Sequence, residues 1–437
     1  MTYAEAVGRL LGLRGGESAG MRPGLERIEG LLDALGHPER RYTLVQVGGT
    51  NGKGSVAAML ATILKAAGHR VGLYTSPHLV SFRERIRVNG EAIPEDSVVD
   101  GTEALGTLVA RLDATMFEAT TALALDHFAG EAVDVAVLEV GLGGRLDATT
   151  VGRPAVTVVT RIDLDHQAVL GRTLAEIAAE KAAILRAGTA ISAAQAPAAA
   201  AVIARRADAA GVPLAVEGRD LHVRLERRGL DGQRISAEGP GWRLEQVDLG
   251  LLGAFQPGNA LLAIAAARAL GVGEAAIRAG LRRVRWPGRF QVVLGTPTLV
   301  LDGAHNPGAA RALVASLDAF FGEAPRTLVV GVSGDKDVAG LLAILAPAAH
   351  RLILTASSNP RAAPPEALRA LLPGPAAEIA IAGSVPEALG IAARGNRTPM
   401  VCVVGSLFVV GDALRALAGS DRPCRIEEGA DSMEALF

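Results

Sequence analysis

Gly48-Gly49-Thr50-Asn51-Gly52-Lys53-Gly54-Ser55 stands between an apolar run, residues 43–47, and a helix-period segment, residues 54–67, that Gly68 ends. A buried strand, a glycine turn and a helix form the opening unit of a parallel α/β sheet. Glycines let backbone N–H groups wrap around phosphate oxygens, and a helix N-terminus favours negative charge. Lys53 would then reach outer phosphates, and Ser55 would face a magnesium ion. The strict phosphate-loop pattern asks for glycine at 47 and Ser or Thr at 54, where Val47 and Gly54 stand. A plain glycine turn is the alternative. The strand before, the helix after and the lysine favour the phosphate loop.

Outward from this stretch, apolar runs alternate with helical patterns. Strands are predicted at 70–75, 134–140, 155–160, 190–194 and 213–216. Helices are predicted at 95–112, 117–128, 173–186, 257–270 and 274–284. Thr173 is a cap candidate with Glu176 three residues on. Residues 84–93 alternate around Asn89-Gly90, a hairpin signal. Residues 221–237 read as a strand that turns at Asp231-Gly232. Trp286-Pro287-Gly288-Arg289 reads as a linker. Beyond it, strands at 298–301, 327–332, 351–355 and 400–404 alternate with helices at 307–321, 338–346, 365–371 and 386–393. The expected fold is α/β with two domains, 1–287 and 288–437, each a mainly parallel sheet wrapped by helices.

Composition agrees. Of 437 residues, 49% are apolar but only 3% aromatic, so small aliphatic side chains fill the core. With 44 basic and 46 acidic residues the net charge is -2, which argues against a general nucleic-acid binder. The two cysteines, Cys402 and Cys424, form neither a disulfide framework nor a metal motif, which fits a reducing cytoplasm. The N-terminus lacks a signal-peptide pattern. The uncharged run 187–204 is too weakly apolar for a membrane span, and is expected to be a strand, a loop and a helix start.

Further motifs follow in order: Thr75-Ser76-Pro77-His78-Leu79, Glu84-Arg85-Ile86, and Leu138-Glu139-Val140-Gly141-Leu142-Gly143-Gly144-Arg145-Leu146-Asp147-Ala148-Thr149. Then come Asp165-His166, Glu180-Lys181-Ala182, Pro287-Gly288-Arg289-Phe290 and Asp302-Gly303-Ala304-His305-Asn306-Pro307. On the residues alone, Glu139 ends a buried strand at the edge where open α/β sheets bind ligands, and a hard cation would suit its charge. A cap or a salt bridge is the alternative. Ser76 before Pro77 reads as a turn, His166 as a surface histidine beside two aspartates, and Lys181 as a solvated helix lysine. Arg289 reads as a linker charge, and Asp302-Gly303 as a turn.

Together the motifs resemble the Mur ligase superfamily, and within it the dihydrofolate synthase/folylpolyglutamate synthase family. The resemblance covers most of the chain. It implies an N-terminal P-loop-type ATPase domain with a pterin site, and a smaller C-terminal Rossmann-like glutamate-ligase domain. It implies an ATP-dependent carboxylate–amine ligase that joins L-glutamate to dihydropteroate or to reduced folates through an acyl phosphate. Thr50, Asn51, Gly52, Lys53, Gly54, Ser55, Asn259, Arg289, Asp302 and His305 would bind ATP. Ser76, Glu139 and His166 would hold magnesium, two ions in all, histidine being an unusual ligand for so hard an ion. Lys181 would be carboxylated to a carbamate, and Lys53, Lys181 and His166 would serve catalysis. For the pterin, Gly24, Leu25, Glu26 and Arg27 (after Pro23), with Thr115, Phe117 and Glu118, match; both segments also look like ordinary helix starts.

Two departures stand out: Ala183 where relatives carry glycine, and Phe255 in Phe255-Gln256-Pro257-Gly258-Asn259 where histidine is frequent. Asp335-Lys336-Asp337 and Ser357-Ser358 match stretches near the glutamate end without a role of their own. The expected protein is a cytoplasmic monomer whose partners are small molecules, with no membrane or nucleic acid. A cell-wall amino-acid ligase would need a further N-terminal domain ahead of the loop. A nucleotide-operated switch without ligation, or an enzyme that only extends polyglutamate, are the other readings.

Overall fold

The computed structural model describes residues 1–14, 22, 24–374, 378–395 and 398–418, so Pro23 and Cys424 lie outside the described residues. Contacts divide the chain into two units. The first comprises residues 1–226, 234–249 and 257–284; the second comprises 227–233, 250–256 and the chain from 285 on.

In chain order the first part runs α1 (Tyr3–Leu11), α2 (Glu26–Ala34), β1 (Thr43–Gly48), α3 (Lys53–Ala66), β2 (Val71–Tyr74), β3 (Ile86–Val88) and β4 (Glu91–Ala92). It continues with α4 (Glu95–Leu112), α5 (Met116–Gly130), β5 (Val135–Glu139), β6 (Val156–Val159), α6 (Gln167–Leu170), α7 (Leu174–Ala182), β7 (Thr189–Ser192), α8 (Pro197–Ala210) and β8 (Leu214–Val216). Then come β9 (His222–Gly229), β10 (Gly232–Gly239), β11 (Trp242–Leu249), α9 (Gln256–Ala269) and α10 (Glu274–Arg283).

The large sheet has the order β4-β3-β2-β5-β1-β6-β7-β8. Only β3 and β4, at one edge, pair antiparallel. β1 lies inside it, exposed at Thr43 and buried at every later position. Helices cover both faces, which is why β1 reads as an unbroken apolar run instead of an alternating one. Each fully buried valine or leucine here contributes roughly 1.5–3 kcal/mol. One apolar cluster joins Ile28, Leu31, Tyr74, Leu123 and Phe128. Another joins Ile177, Ile184 and Ile203.

Two polar devices tie helices together. The Arg27 Nε donates to both Glu118 oxygens, at 3.0 and 3.1 Å, linking the start of α2 to the start of α5. Thr115 and Glu118 also form a capping box on α5. Elsewhere α3 and α10 approach so closely that a Cβ on Gly280 would lie 2.5 Å from the Ile63 Cα.

The second unit contains β12 (Gln291–Val293), β13 (Thr298–Leu301), α11 (Pro307–Phe321), β14 (Arg326–Val330), α12 (Val338–Leu345), β15 (Arg351–Leu354), α13 (Pro365–Ala370), β16 (Glu378–Ile381), α14 (Val385–Gly395), β17 (Met400–Val404) and α15 (Leu407–Ala418). Its sheet has the order β12-β13-β17-β14-β15-β16, parallel except for β12. Its core gathers Phe290, Leu313, Leu328, Leu342 and Cys402. Cys402 is a buried free thiol. Among the described residues, no helix is long and apolar enough to cross a membrane.

The two-domain α/β class is observed as expected, and most elements fall where periodicity puts them. The differences have physical reasons. The helix expected over 173–186 stops at Ala182, because Ile184 turns under the sheet: a Cβ on Gly48 would lie 2.6 Å from its Cδ1. The capping box of Thr173 and Glu176 is present. The expected hairpin over 221–237 is part of a three-stranded sheet, order β11-β10-β9. β11 escapes the period-2 test because Leu244 and Val247 are both buried while Glu245 and Gln246 are both exposed, and Gln246 has φ 51°. That is the signature of an inserted residue. β12 and β16 are short edge strands with no fully buried side chain. Without a buried face they carry no apolar pattern.

Substituting Gly280 by alanine is expected to destabilise by about 1–3 kcal/mol, because a backbone atom of α3 cannot move aside. Gly8→Ala, on α1 with open space around it, is expected to leave stability unchanged or raised. Thermal denaturation of both variants measures the contrast; equal melting temperatures would refute the close-packing account.

Candidate active site

The parallel register sets the site. β1 pairs Val47 with Glu139 of β5 and Gly48 with Val159 of β6. The glycine loop therefore leaves the sheet beside the end of β5 and beside the segment that follows β6. Lys53 opens α3, and the first intrahelical bond, from Val56 N–H to the Gly52 carbonyl, is 3.0 Å long. The amides of Lys53, Gly54 and Ser55 precede that bond and lie at the positive end of the helix dipole. Gly49 and Gly52 have φ of 135° and 95°, a region that favours glycine. A Cβ on Gly49 would collide with the Thr160 Oγ1 at 2.0 Å.

The loop is strapped to the segment after β6. The amides of Thr50 and Asn51 both donate to the Arg161 carbonyl, at 2.9 and 3.2 Å. The Thr50 hydroxyl donates to the Asp163 carbonyl and accepts from its amide, and the Asn51 side chain donates to the Asp163 carboxylate at 3.0 Å. Sequence reading did not single out Arg161 or Thr160, whose roles here are carried by backbone and by one small hydroxyl, and no motif marks such contacts. The cradle of amides is correspondingly shorter than the glycine run suggests, since those of Thr50 and Asn51 are turned to Arg161. Lys53 Nζ donates to the Thr50 carbonyl at 3.1 Å, folding over the loop mouth.

Lys181, near the end of α7, is buried, and its Nζ donates to the Gly49 carbonyl at 3.0 Å. It is not the solvated helix lysine that its sequence context allows. Gly144 makes this possible, because a Cβ there would lie 2.8 Å from the Glu180 carbonyl and 2.9 Å from that of Lys181. Glu139 is buried at the end of β5, and its Oε2 accepts the Ser76 N–H at 3.3 Å. These two expected residues are brought together. His166 has φ 51° ahead of α6, and its amide donates to Asp165 Oδ1 at 2.8 Å. Its ring Nε2 lies 3.8 Å from the same oxygen. Asn259, on α9, lies against the loop: a Cβ on Gly52 would fall 2.5 Å from its Oδ1.

Among the other expected residues, Phe117 packs against Tyr74 with ring centroids 5.9 Å apart and the planes tilted by 43°, and a Cβ on Gly141 would lie 2.5 Å from its ring. Phe117 thus borders the segment after Glu139. Thr115, Arg27 and Glu118 are consumed in the buried network joining α2 and α5. Glu26 is exposed and accepts from Arg27 Nη1 at 2.6 Å. Gly24 has φ 131°, and Leu25 is the half-buried residue that precedes α2. Asp147 organises the 141–150 segment, accepting from the amides of Leu142 and Thr149 and from the Thr149 hydroxyl. Burial pushes its carboxyl above the ordinary aspartate value, and these bonds oppose the shift.

In the second unit, Asp302 Oδ2 accepts the Phe290 amide at 2.7 Å and Oδ1 the Ala304 amide at 2.8 Å. Burial pushes its carboxyl up, opposed first by the charge of Arg289. Arg289 Nη1 donates to the Gly288 carbonyl, and the His305 Nδ1 lies 2.8 Å from that of Gly303. Arg289, ahead of β12, thus lies beside the segment after β13 that carries Asp302 and His305: a Cβ on Gly303 would fall 2.6 Å from the Arg289 Nη1. Ser358 donates to Asp412 through its amide and hydroxyl, and Arg361 reaches Asp335 at 3.7 Å. Among the described residues, no group of three or more His, Cys, Asp and Glu side chains has metal-binding geometry.

Residues 47–267 match the Mur ligase middle domain, and residues 288–407 match the Mur ligase, glutamate ligase domain. A probable bifunctional folylpolyglutamate synthase/dihydropteroate synthase of Haloferax volcanii is 41% identical over 94% of the chain, which spans about half (50%) of that relative's length. A dihydrofolate synthase/folylpolyglutamate synthase of Mycobacterium tuberculosis is 37% identical, over 79% of the chain and 77% of the relative. The crystal structure of the Mycobacterium tuberculosis folylpolyglutamate synthase complexed with ADP and AMPPCP superimposes with TM-score 0.87 at 34% identity, covering 96% of the chain and 99% of that structure. The 48–55 loop, the buried Lys181 behind it and Glu139 beside it stand within the matched middle domain: the chain belongs to the dihydrofolate synthase/folylpolyglutamate synthase family of the Mur ligase superfamily.

Proposed function

We propose that the chain is an ATP-dependent ligase that joins L-glutamate to dihydropteroate and to reduced folates, releasing ADP and phosphate. The observation that carries this reading is the strand-edge juxtaposition of the 48–55 loop with Glu139, backed by the buried Lys181 on the Gly49 carbonyl. In this reading residues 1–287 hold ATP and the pterin, and residues 288–437 serve the glutamate ligation. The enzyme works in the cytoplasm as a monomer.

The substrate carboxylate attacks the γ-phosphorus, the bond to ADP breaks, and an acyl phosphate results. The glutamate amine then attacks the acyl carbon, phosphate leaves, and the amine proton passes to a base or to the departing phosphate. The protein's part is positioning and neutralising charge. The first-turn amides of α3 and the Lys53 ammonium face the phosphates, and Lys53 exchanges the Thr50 carbonyl for a stronger, charged acceptor. Thr50, Asn51, Gly52, Gly54, Ser55 and Asn259 line the nucleotide, with Arg289, Asp302 and His305 assigned to its phosphate and ribose. Phe117 offers the pterin an aromatic face.

Ser76 and Glu139 would hold magnesium through hard oxygen donors, with His166 as a softer third donor. When bound, the ion neutralises phosphate charge. Lys181 is read as a carbamate. That form keeps an N–H for the Gly49 carbonyl while adding two anionic oxygens.

Three outcomes test the reading. Lys53→Ala is expected to abolish ATP- and glutamate-dependent product formation with an unchanged melting temperature; normal turnover by this variant would refute the loop assignment. Enzyme depleted of CO₂ is expected to lose activity and regain it with bicarbonate, whereas an activity indifferent to both would exclude the carbamate. Product analysis with dihydropteroate and with tetrahydrofolate as separate acceptors is expected to give glutamylated product from each. Product from only one would restrict the function to that step, and phosphate release independent of both acceptors would favour a nucleotide switch.

A further inference from the structure

A second site lies at the opposite end of the large sheet. The 48–55 loop leaves the carboxyl end of β1, but a cavity of about 1340 Å³ opens beside the amino ends of the strands. Its walls include Tyr42, Gly152, Arg153 and Arg186, which precede β1, β6 and β7, and Arg205 and Arg206 from the last turns of α8. Six arginines line the concavity: Arg40 and Arg145 pair with Glu39 and Glu180, which leaves Arg153, Arg186, Arg205 and Arg206. Among the described residues, no carboxylate lies within ion-pair distance of Arg153, Arg186, Arg205 or Arg206.

Arg186 is the centre of this group. Its Nη1 donates to the Gly152 carbonyl at 2.8 Å, and its Nη2 contacts the Val151 carbonyl and the Gln46 Oε1, each at 3.3 Å. These are neutral acceptors, so its charge is held in place but not balanced. Its Nε, like that of Arg206, is buried without a hydrogen-bond partner. Burial first, and then the like charge of Arg206, push the Arg186 pKa down. Two half-buried guanidinium groups, each with a buried unpartnered Nε, thus line one cavity, an arrangement that costs free energy unless an anion joins them.

The cavity is also lined by Glu29, which is exposed, and by Asp33 and Glu39, which both pair with His37. Glu39 Oε1 lies 3.1 Å from His37 Nδ1 and 3.3 Å from Arg40 Nε, and Asp33 lies 3.1 Å from His37 Nε2. The opening is too large for a single inorganic ion and suits an extended ligand.

We infer that this cavity binds a small multivalent anion bearing two or more phosphate or carboxylate groups, held by Arg153, Arg186, Arg205 and Arg206. The planar guanidinium fork matches both groups. The wall also carries Ala179 and Ala183, which flank Lys181 on and just beyond α7. The ligand therefore sits behind the element that presents Lys181 to the phosphate loop, outside the loop itself.

The test is calorimetric titration of the full chain with tripolyphosphate and, separately, with γ-linked tri-L-glutamate. The wild type is compared with the double variant R153Q/R206Q. Arg186 is left in place because it supports the 151–152 carbonyls. A melting temperature equal to the wild type's certifies the variant's fold, and the single variant Arg205→Gln stands in if it does not. At least one probe is expected to bind the wild type, and the variant is expected to bind it about 10–100-fold more weakly, as loss of charge-assisted bonds implies. Tripolyphosphate alone identifies a phosphate ligand, and the peptide alone a polycarboxylate. Both chains keep the 48–55 loop, so equal affinity in the two would assign binding to that loop and overturn the inference. Absence of binding by either probe would overturn it as well.

Discussion

The parallel hydrogen-bond ladder that holds β1 between β5 and β6 is the constraint on which the candidate site rests. In a parallel pair the bonds are evenly spaced and the strands run the same way, so the carboxyl ends of neighbours arrive at one edge. Pairing Val47 with Glu139 and Gly48 with Val159 brings three chain segments, far apart in sequence, to a single line. A one-residue slip of β5 would turn Glu139 to the other face of the sheet.

A second layer of organisation comes from carboxylates that hold loops through converging donors. Asp147 shapes the segment after β5, Asp302 the turn after β13, and Asp163 ties the segment after β6 to Thr50 and Asn51. Asp147 and Asp302 work because a buried carboxylate is costly unless several donors converge on it, while Asp163 is half-buried. The same logic joins Arg27 to Glu118. Removing one partner of such a pair would leave the other buried and uncompensated. These side chains lie in motif segments, yet their geometry is that of scaffolding for the backbone.

The cavity at the other end of the sheet contrasts with this pattern. Among the described residues, Arg153, Arg186, Arg205 and Arg206 line it with no carboxylate within ion-pair distance. Two ends of one sheet thus present different electrostatics, one structured by internal bonds and the other poised for an external anion.

Residue patterns by themselves determined the α/β class, the loop and its following helix, and the alternating strands of both units, because buried parallel strands and amphipathic helices have periods that no tertiary context erases. They also determined the Thr173 capping box, a local device. They did not reveal β11, whose extra residue breaks alternation, nor β12 and β16, whose exposed edges carry no apolar signal. The tertiary structure alone decided that Lys181 is buried on the Gly49 carbonyl and that Arg161 claims the amides of Thr50 and Asn51. It alone showed that Arg186 and Arg206 share a wall. Each of these facts depends on which segments the sheet order makes neighbours, and hydrogen bonds to backbone carbonyls leave no mark on the residue type that accepts them.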